Sequence, residues 1–471
     1  MERVQRVPVR ETEEPGGVEA GGLSDLGAAR NRRRLELQPR TARHLHLGAQ
    51  PQETIGLVGL DPPEVEGIAR VELVVAAASA AQAHAPDEQV QEAAQSPERI
   101  SVVPAPASAD LPDWRKRGSR RDRNERRAAV DQTSADAIYM ARHVALKSGL
   151  PIETPAVTVN RLCGSGFESI IQGAQQILLG ESNIVLAGGA ESMSQAPHVV
   201  RGARWGIRLG PAPPFEDLLW ESLKDPQCGF SMAETAENLA DKYKIAREEV
   251  DAYALTSQLR AREAWTSCAF KDEVVPVMIR NRKTRQDEPW TADEHMRPDT
   301  TAEGLAKLPP YFKKDGVVTA GNASGICDGG AAVVIAGETT VAAKKLKPIG
   351  RLVAWGIAGV EPKFMGIGPA PAARKALAKA GMTIDQMDLV EVNEAFSAQY
   401  IAVERELGLD RNRTNVDGGA IAIGHPLAAS GTRITLHLLH ALRRRGKRFG
   451  LGSACIGGGQ GAAVIVEVIS D

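Results

Sequence analysis

Two thiols and one imidazole stand in glycine-rich corners of this chain. Cys163 lies in NRLCGSG (160–166), His425 in GGAIAIGHPLAASG (418–431) and Cys455 in SACIGGGQG (453–461). After Cys163, the residues Phe167, Ile170, Ile171, Ala174, Ile177 and Leu178 repeat at the three-and-four spacing of one helical face, and Gly180 is a natural stop. Cys163 therefore falls at a helix N-terminus, where unpaired N–H groups and the helix dipole favour an anion. The position predicts a thiolate that forms more readily than in water, which is a nucleophile. Gly164 and Gly166 allow a ligand or a second backbone to come close. His425 is wedged between Gly424 and Pro426 before a second helical run, so its ring can project from a fixed backbone. Taken alone, either cysteine reads as a small buried hydrophobe. Cys228, Cys268 and Cys327 lack such surroundings and read as structural.

The elements that must hold these corners recur in two halves. Upstream of Cys163, residues 154–160 (TPAVTVN) are short and β-branched, which predicts a buried strand. Residues 182–194 (SNIVLAGGAESMS) predict a second strand that runs into a glycine pair. Near the C-terminus the order returns: DLVEVNEAFSAQYIAVERELGL is strand then helix, the His425 corner opens a helix, and RFGLGSACIGGGQGAAVIVEVI is strand, glycine turn, strand. Such alternation predicts a layered α/β fold with mostly parallel sheets. Two similar halves meeting face to face would bring both corners to one site. The middle, about 195–319, is polar and irregular apart from an expected helix at 231–265, and reads as an insertion that carries substrate binding.

A chain of 471 residues holds two or three domains. Its net charge of −2 gives no general reason to bind nucleic acid or an anionic membrane. Five scattered cysteines suggest neither a disulfide framework nor a metal site, and point to a reducing compartment. No apolar run approaches the ~20 residues of a membrane span, and no signal-like segment is seen at the start. Before Trp114 there is no Phe, Tyr, Trp, Lys or Cys. Residues 1–130 are thus expected to be irregular, disordered or the product of a mis-started reading frame, since large apolar side chains that offset chain ordering are missing. The basic run at 114–127 reads as a solvated linker, with a nucleic-acid arm as the rival. The spacing Gly457-x-Gly459-x-Gly461 could suggest a nucleotide loop, but a strand-like run follows it where a helix should open, so NAD and ATP are rejected.

Six segments, NRLCGSGFESI, AGGAESMSQAP, GNASGICDGGAAV, VEVNEAFSAQY, GGAIAIGHPLAASG and SACIGGGQG, stand in the order and at roughly the separations of the motifs of the thiolase family, which residues 131–471 resemble. The resemblance implies an αβαβα layered architecture, with 131–346 as the N-terminal half, including the loop domain at about 195–319, and 347–471 as the C-terminal half. It implies exchange of acyl groups between coenzyme A thioesters: cleavage of a 3-ketoacyl-CoA by CoA, or the reverse condensation. Cys163 would become the acyl-enzyme, His425 would take its proton, and Cys455 would protonate the departing carbanion and then activate CoA. A thiol pKa of about 8.5 suits transfer in both directions. Asn393 would hold a water that joins His425 in one oxyanion hole, and the N–H groups of Cys163 and Gly457 would form the other. Ser324 would lie against the pantetheine arm, and Met232 is carried over as a second coenzyme-binding position. No tightly bound cofactor and no metal is implied, with coenzyme A as co-substrate, and a homodimer or homotetramer is expected. The cytosol is the default location, a mitochondrial or peroxisomal matrix the alternative.

Three departures from the family pattern stand out. Its opening central strand has no recognisable counterpart in residues 1–130, where ETIGLVGL (53–60) and RISVVPAP (99–106) are the candidates; loss of that strand would favour an inactive scaffold. Ala428 replaces a glycine of the G-H-P block. Ser231, before Met232, stands where acetoacetyl-specific members often carry histidine, which points to a broader 3-ketoacyl-CoA thiolase over a biosynthetic acetoacetyl-CoA enzyme.

Overall fold

The computed structural model describes residues 71–74, 100–102 and 137–469, all within the compact unit Pro63–Asp471. The expectations for the rest of 1–130, including the basic run at 114–127 and the strand candidate at 53–60, lie outside the described residues.

Eight strands form one sheet: β1 (Val71–Val74), β2 (Ile100–Val102), β3 (Ile184–Ser192), β4 (Asp328–Gly337), β5 (Gly350–Gly359), β6 (Leu389–Val392), β7 (Phe449–Ile456) and β8 (Gln460–Val468). Their spatial order is β6-β7-β8-β5-β1-β4-β3-β2. Read outward from the central β5/β1 pair, one side runs β5-β8-β7-β6 and the other β1-β4-β3-β2, and corresponding neighbours share the same pairing sense. The duplication anticipated from the motifs is thus written into the strand topology.

Only β2/β3 and β6/β7 are parallel; the other five pairs, β1/β5 included, are antiparallel, against the expected mostly parallel sheet. The connections explain this. Parallel neighbours need a crossover, and helices fill both: α1 (Met140–Lys147) and α2 (Ser165–Leu178) join β2 to β3, while α6 (Ser397–Leu407) and α7 (Leu427–Arg444) join β6 to β7. A glycine turn joins β7 directly to β8, with φ of +78° at Gly458 and +82° at Gly459, so that pair is a hairpin. No nucleotide-loop helix opens there.

Two further expectations are corrected. Residues 154–160 form an extended connection with a single bridge at Ala156, not a strand. Pro155 lacks a donor, Thr158 Oγ1 is used to accept from Ala141 N, and the place beside β3 is taken by β2. Among the described residues no strand of the chain start stands in the middle of the first half; Val71–Val74 lies at the inner end of that half, hydrogen-bonded to β4 and, across the junction, to β5. Of the two candidates, 99–106 contains β2, which lies at the sheet edge. The helix expected at 231–265 is two, α3 (Met232–Tyr243) and α4 (Arg247–Thr266), separated where Lys244 turns left-handed at φ +52°.

Helices α2 and α7 lie against each other and contact both halves of the sheet. Phe167, Ile170, Ile171, Ile434, Leu438 and Leu439 form the middle of that core. Outside, α5 (Pro369–Ala380) covers β5 and β8 with α3, α4 and α6 beyond it, while α1 backs β2 and β3. The result is the expected five-layer order.

Candidate active site

The two central helices meet backbone to backbone through glycine. A methyl on Gly166 would sit 2.5 Å from Thr432 N and 2.9 Å from Ala428 O, and one on Gly431 would run into Phe167 N. Gly189 of β3 faces the Ala428 carbonyl with no room for a Cβ. Ala428 itself is fully buried, and its N–H donates to Glu191 Oε2 at 3.2 Å. The methyl that departs from the family pattern is therefore housed, and the corner it belongs to is clamped by the first half of the chain.

Cys163 occupies a one-turn 3₁₀ segment, Leu162–Gly164, that opens α2. Leu162 adopts φ +49°, a left-handed conformation costly for a leucine. The surrounding bonds hold it there: Leu162 N donates to Asn160 Oδ1 at 2.9 Å, Arg161 N donates to Ser165 Oγ at 2.9 Å, and Ser165 Oγ donates to Leu162 O at 2.8 Å. Arg161 reaches Glu168 Oε2 at 2.7 Å and Gln460 Oε1 at 2.9 Å, fastening the corner to the β7–β8 turn. The backbone N–H groups of Gly457 and of Cys163 itself point at Sγ.

Burial outweighs those N–H groups and the helix N-terminus. The Cys163 thiol is pushed up to about 11, with the Glu191 carboxylate adding in the same direction. The acidic thiol expected at this corner is thus corrected: part of Cys163 reaches solvent, but its sulfur lies among Met193, Leu219, Leu223 and Leu427, where an anion is poorly solvated. Leu427, two residues after His425, belongs to the apolar cluster against which Cys163 packs, so one cluster borders both corners.

Cys455, near the end of β7, is fully buried, and burial together with the neighbouring Cys163 holds its thiol far above the ordinary range. Gly457 keeps the turn open: a methyl there would meet Leu162 Cδ1 at 3.2 Å and Met232 Sδ at 3.3 Å. Met232, the first residue of α3, packs with Cys455, Met365, Ala395 and Phe396. Ser231 caps α3, accepting from Glu234 N at 3.2 Å, while Glu234 Oε2 accepts from Ser231 N at 2.7 Å. Position 231 therefore does a helix-capping task.

His425 follows Gly424, whose φ of +92° turns the chain into the helix. Its Nε2 lies 3.2 Å from Asn393 Nδ2 and its Nδ1 2.6 Å from Ser430 Oγ. Burial, helped by the Arg433 charge, pushes the imidazole down to about 3, so it is neutral at physiological pH. Asn393 follows β6 and is anchored by its N–H to Ser453 O at 2.8 Å, while its buried Oδ1 has no hydrogen-bond partner among the described residues. An open acceptor beside the imidazole is what a bound water would require. The adjacent Glu394 is fixed by Tyr253, Ser257, Asn415 and the N–H of Ile421.

Ser324 is spent within the protein, donating through both N and Oγ to Ala395 O at 3.0 and 3.1 Å. The same loop brings Cys327, read as structural, against the His425 corner: its sulfur accepts the backbone N–H of His425 and leaves no space for a Cβ on Gly424, and its thiol is pushed up to about 12, chiefly by burial. Cys327, Glu191 and Ser430 are the residues that sequence reasoning missed here. Ser430 alone carried a signal, a serine five residues after a histidine across a helix start.

Residues 127–339 match the model "Thiolase, N-terminal domain", and residues 346–468 match "Thiolase, C-terminal domain". The chain belongs to the thiolase family. This thiolase is 57% identical to the mitochondrial 3-ketoacyl-CoA thiolase of Homo sapiens over 338 residues, 72% of this chain and 85% of that one. It is 50% identical to the acetyl-CoA acetyltransferase of Chromobacterium violaceum over 329 residues, 69% of this chain and 83% of that one. A crystal structure of the human mitochondrial 3-ketoacyl-CoA thiolase superimposes with a TM-score of 0.74 at 48% identity, covering 86% of this chain and 100% of that one. Another, of that protein in complex with CoA, gives 0.70 at 56% identity over 72% of this chain and 85% of that one. Thiolases are acyltransferases, and this chain is an enzyme of that class. Among the described residues no helix is long and apolar enough to cross a membrane, and no His, Cys, Asp and Glu group could hold a metal ion.

Proposed function

We propose that this thiolase cleaves 3-ketoacyl-CoA with CoA, or runs the reverse condensation, through an acyl group on Cys163. The observation that carries the reading is the convergence at one seam: the N–H groups of Cys163 and Gly457 on Sγ, a neutral His425 fixed by Asn393 on the adjoining corner, and Cys455 buried in the neighbourhood of Cys163.

In thiolysis, His425 Nε2 takes the Cys163 proton as sulfur attacks the 3-keto carbon. The oxyanion formed is met by preorganised donors, with the Cys163 and Gly457 N–H groups serving one thioester or keto oxygen and His425 with an Asn393-held water the other. The bond between C2 and C3 then breaks, and Cys455, kept protonated by burial, gives its proton to the carbanion to release acetyl-CoA. The resulting Cys455 thiolate removes the proton of an incoming CoA thiol, which attacks the acyl-enzyme. Cys163 leaves as a thiolate and recovers its proton from His425. Met232, beside Gly457, would border the pantetheine arm. Ser324 acts there through the Ala395 carbonyl, which it anchors.

The apolar wall beside Cys163 and the capping task of Ser231 support an acyl range broader than acetyl, and favour the 3-ketoacyl enzyme over an acetoacetyl-specific one. Val71–Val74, hydrogen-bonded to both β4 and β5, supports an assembled enzyme over an inactive scaffold. The segment 195–319 is assigned to cover the substrate within an N-terminal half at 131–346, with 347–471 as the other half. A homodimer or homotetramer is assigned by family. The mitochondrial names of relatives favour a mitochondrial matrix over the cytosol.

Intact-mass measurement after mixing with a 3-ketoacyl-CoA tests the roles. Cys163→Ala should form no acyl-enzyme, while Cys455→Ala should still acylate Cys163 slowly. Equal, complete loss in both would overturn the division of labour. Thiolysis of acetoacetyl-CoA and of a longer 3-ketoacyl-CoA, compared by kcat/KM, decides the chain-length reading.

A further inference from the structure

The two ring nitrogens of His425 are held by unlike partners. Asn393 Nδ2 lies 3.2 Å from Nε2, and Ser430 Oγ lies 2.6 Å from Nδ1. Ser430 sits in the first turn of α7, fully buried, where its Oγ is 3.0 Å from the Pro426 carbonyl. That carbonyl gives the hydroxyl hydrogen an acceptor, which leaves the oxygen lone pairs turned toward the imidazole. A hydroxyl used in this way accepts from Nδ1–H and does not donate to the ring. The proton is then on Nδ1, and Nε2 presents its lone pair on the side where Asn393 offers an N–H.

We propose that Ser430 is a positioning residue that holds His425 in the Nδ1–H tautomer, through the relay from Nδ1–H to Ser430 Oγ and from Ser430 Oγ–H to Pro426 O, so that Nε2 keeps the lone pair that takes the Cys163 proton once the Asn393 N–H, 3.2 Å away at rest, yields it. This rests on the reading of His425 as the base. With a proton on Nε2 the ring would have no lone pair there, and the amide of Asn393 would have to turn over to accept from it. The relay starts and ends within one helical turn, His425 to Ser430, so it forms wherever the corner folds and needs no substrate. A buried histidine in the wrong tautomer keeps its place in the fold and loses its function as a base.

The test uses the full-length protein and the substitutions Ser430→Ala, Ser430→Thr and His425→Asn. Nitrogen-15 NMR of histidine-labelled enzyme, with the His425 signals identified by their loss in His425→Asn, should show Nδ1 protonated and Nε2 bare in the wild type. In Ser430→Ala the Nδ1–H signature should weaken or exchange with the other tautomer. Acylation of Cys163 should slow on the order of 10²-fold with KM little changed, the scale of a lost general base. Ser430→Thr, which keeps the hydroxyl, should restore both readouts. The proposal is overturned if Ser430→Ala keeps the Nδ1–H signature, or acylates within twofold of wild type. If His425→Asn itself acylates at the wild-type rate, the reading of His425 as the base falls, and this proposal with it.

Discussion

The protonation state of the resting nucleophile can be measured directly. With its thiol pushed up to about 11, Cys163 differs by two pH units from an ordinary thiol near 9. Each unit is tenfold in ionisation, so at pH 7 about 1 molecule in 10⁴ carries a thiolate, against about 1 in 10² for an unperturbed cysteine. His425, pushed down to about 3, does not compensate as an imidazolium. The free enzyme therefore holds a neutral thiol beside a neutral imidazole, and the proton moves only as sulfur attacks. Iodoacetamide, with the label on Cys163 followed by peptide mass, reads the thiolate population. Alkylation of Cys163 should climb roughly tenfold per pH unit from 7 to 10, approaching 10³-fold in all, and should be about 10²-fold slower at pH 7 than that of a free model thiol. A rate that levels off between pH 6 and 8 would mean a preformed thiolate and imidazolium, and would refute the argument that burial defeats the helix N-terminus here.

Two further outcomes follow from the core. Gly431→Ala places a methyl against the Phe167 backbone of the facing helix, which cannot swing aside, so a loss of about 3 kcal/mol is expected in urea unfolding, with activity falling as the two corners separate; an unchanged midpoint would contradict the close contact of α2 and α7. His437 is buried against Glu273 at 2.8 Å and Asp417 at 3.4 Å; burial alone would lower it, but those carboxylates raise it to about 10. A folded value above the unfolded one stabilises fully below pH ~6.5 and progressively less as pH rises through about 10, so the melting temperature should fall over that window in wild type and much less in His437→Gln.

The parts legible in the sequence were those fixed by local pattern. Of the helical face expected from Phe167 to Leu178, the part to Ala174 became the buried side of α2 while Leu178 is exposed, and the runs around residues 184–192, 389–392 and 449–468 became strands, because periodicity and turn glycines act within a few residues. Cys163, His425 and Cys455 were singled out by their glycine-rich surroundings, and the structure buries Cys455 near Cys163, while Leu427, two residues after His425, belongs to the apolar cluster that Cys163 packs against. What the sequence hid depends on distant neighbours. VELV at 71–74 is four residues long in a stretch without aromatics, and only its pairing with β4 and β5 makes it a strand. The acidity of Cys163 was misread because dipole direction follows from chain order, whereas desolvation is set by Met193, Leu219 and Leu427, contributed by other segments. Cys327 lay in a recognised motif, but the contact of its sulfur with the backbone N–H of His425 exists only after the loop folds onto the second half.

The strand order explains why the reactive groups belong to different halves. Each half supplies a parallel pair joined by helices, and each closes its crossover with a helix that one of these corners precedes: Cys163 just before α2, His425 just before α7. The symmetry that makes β1 and β5 neighbours also stacks α2 on α7, so the corners come together at the axis of the duplication. Neither half alone holds both Cys163 and His425. The two halves differ at one place: the β7–β8 turn presents Cys455 and Gly457, whereas the matching place after β3 is opened by the long segment that leads to β4. A site assembled in this way inherits its rigidity from the glycine contacts between the helices, because a shift of a few tenths of an ångström at Gly166 or Gly431 would move both corners at once.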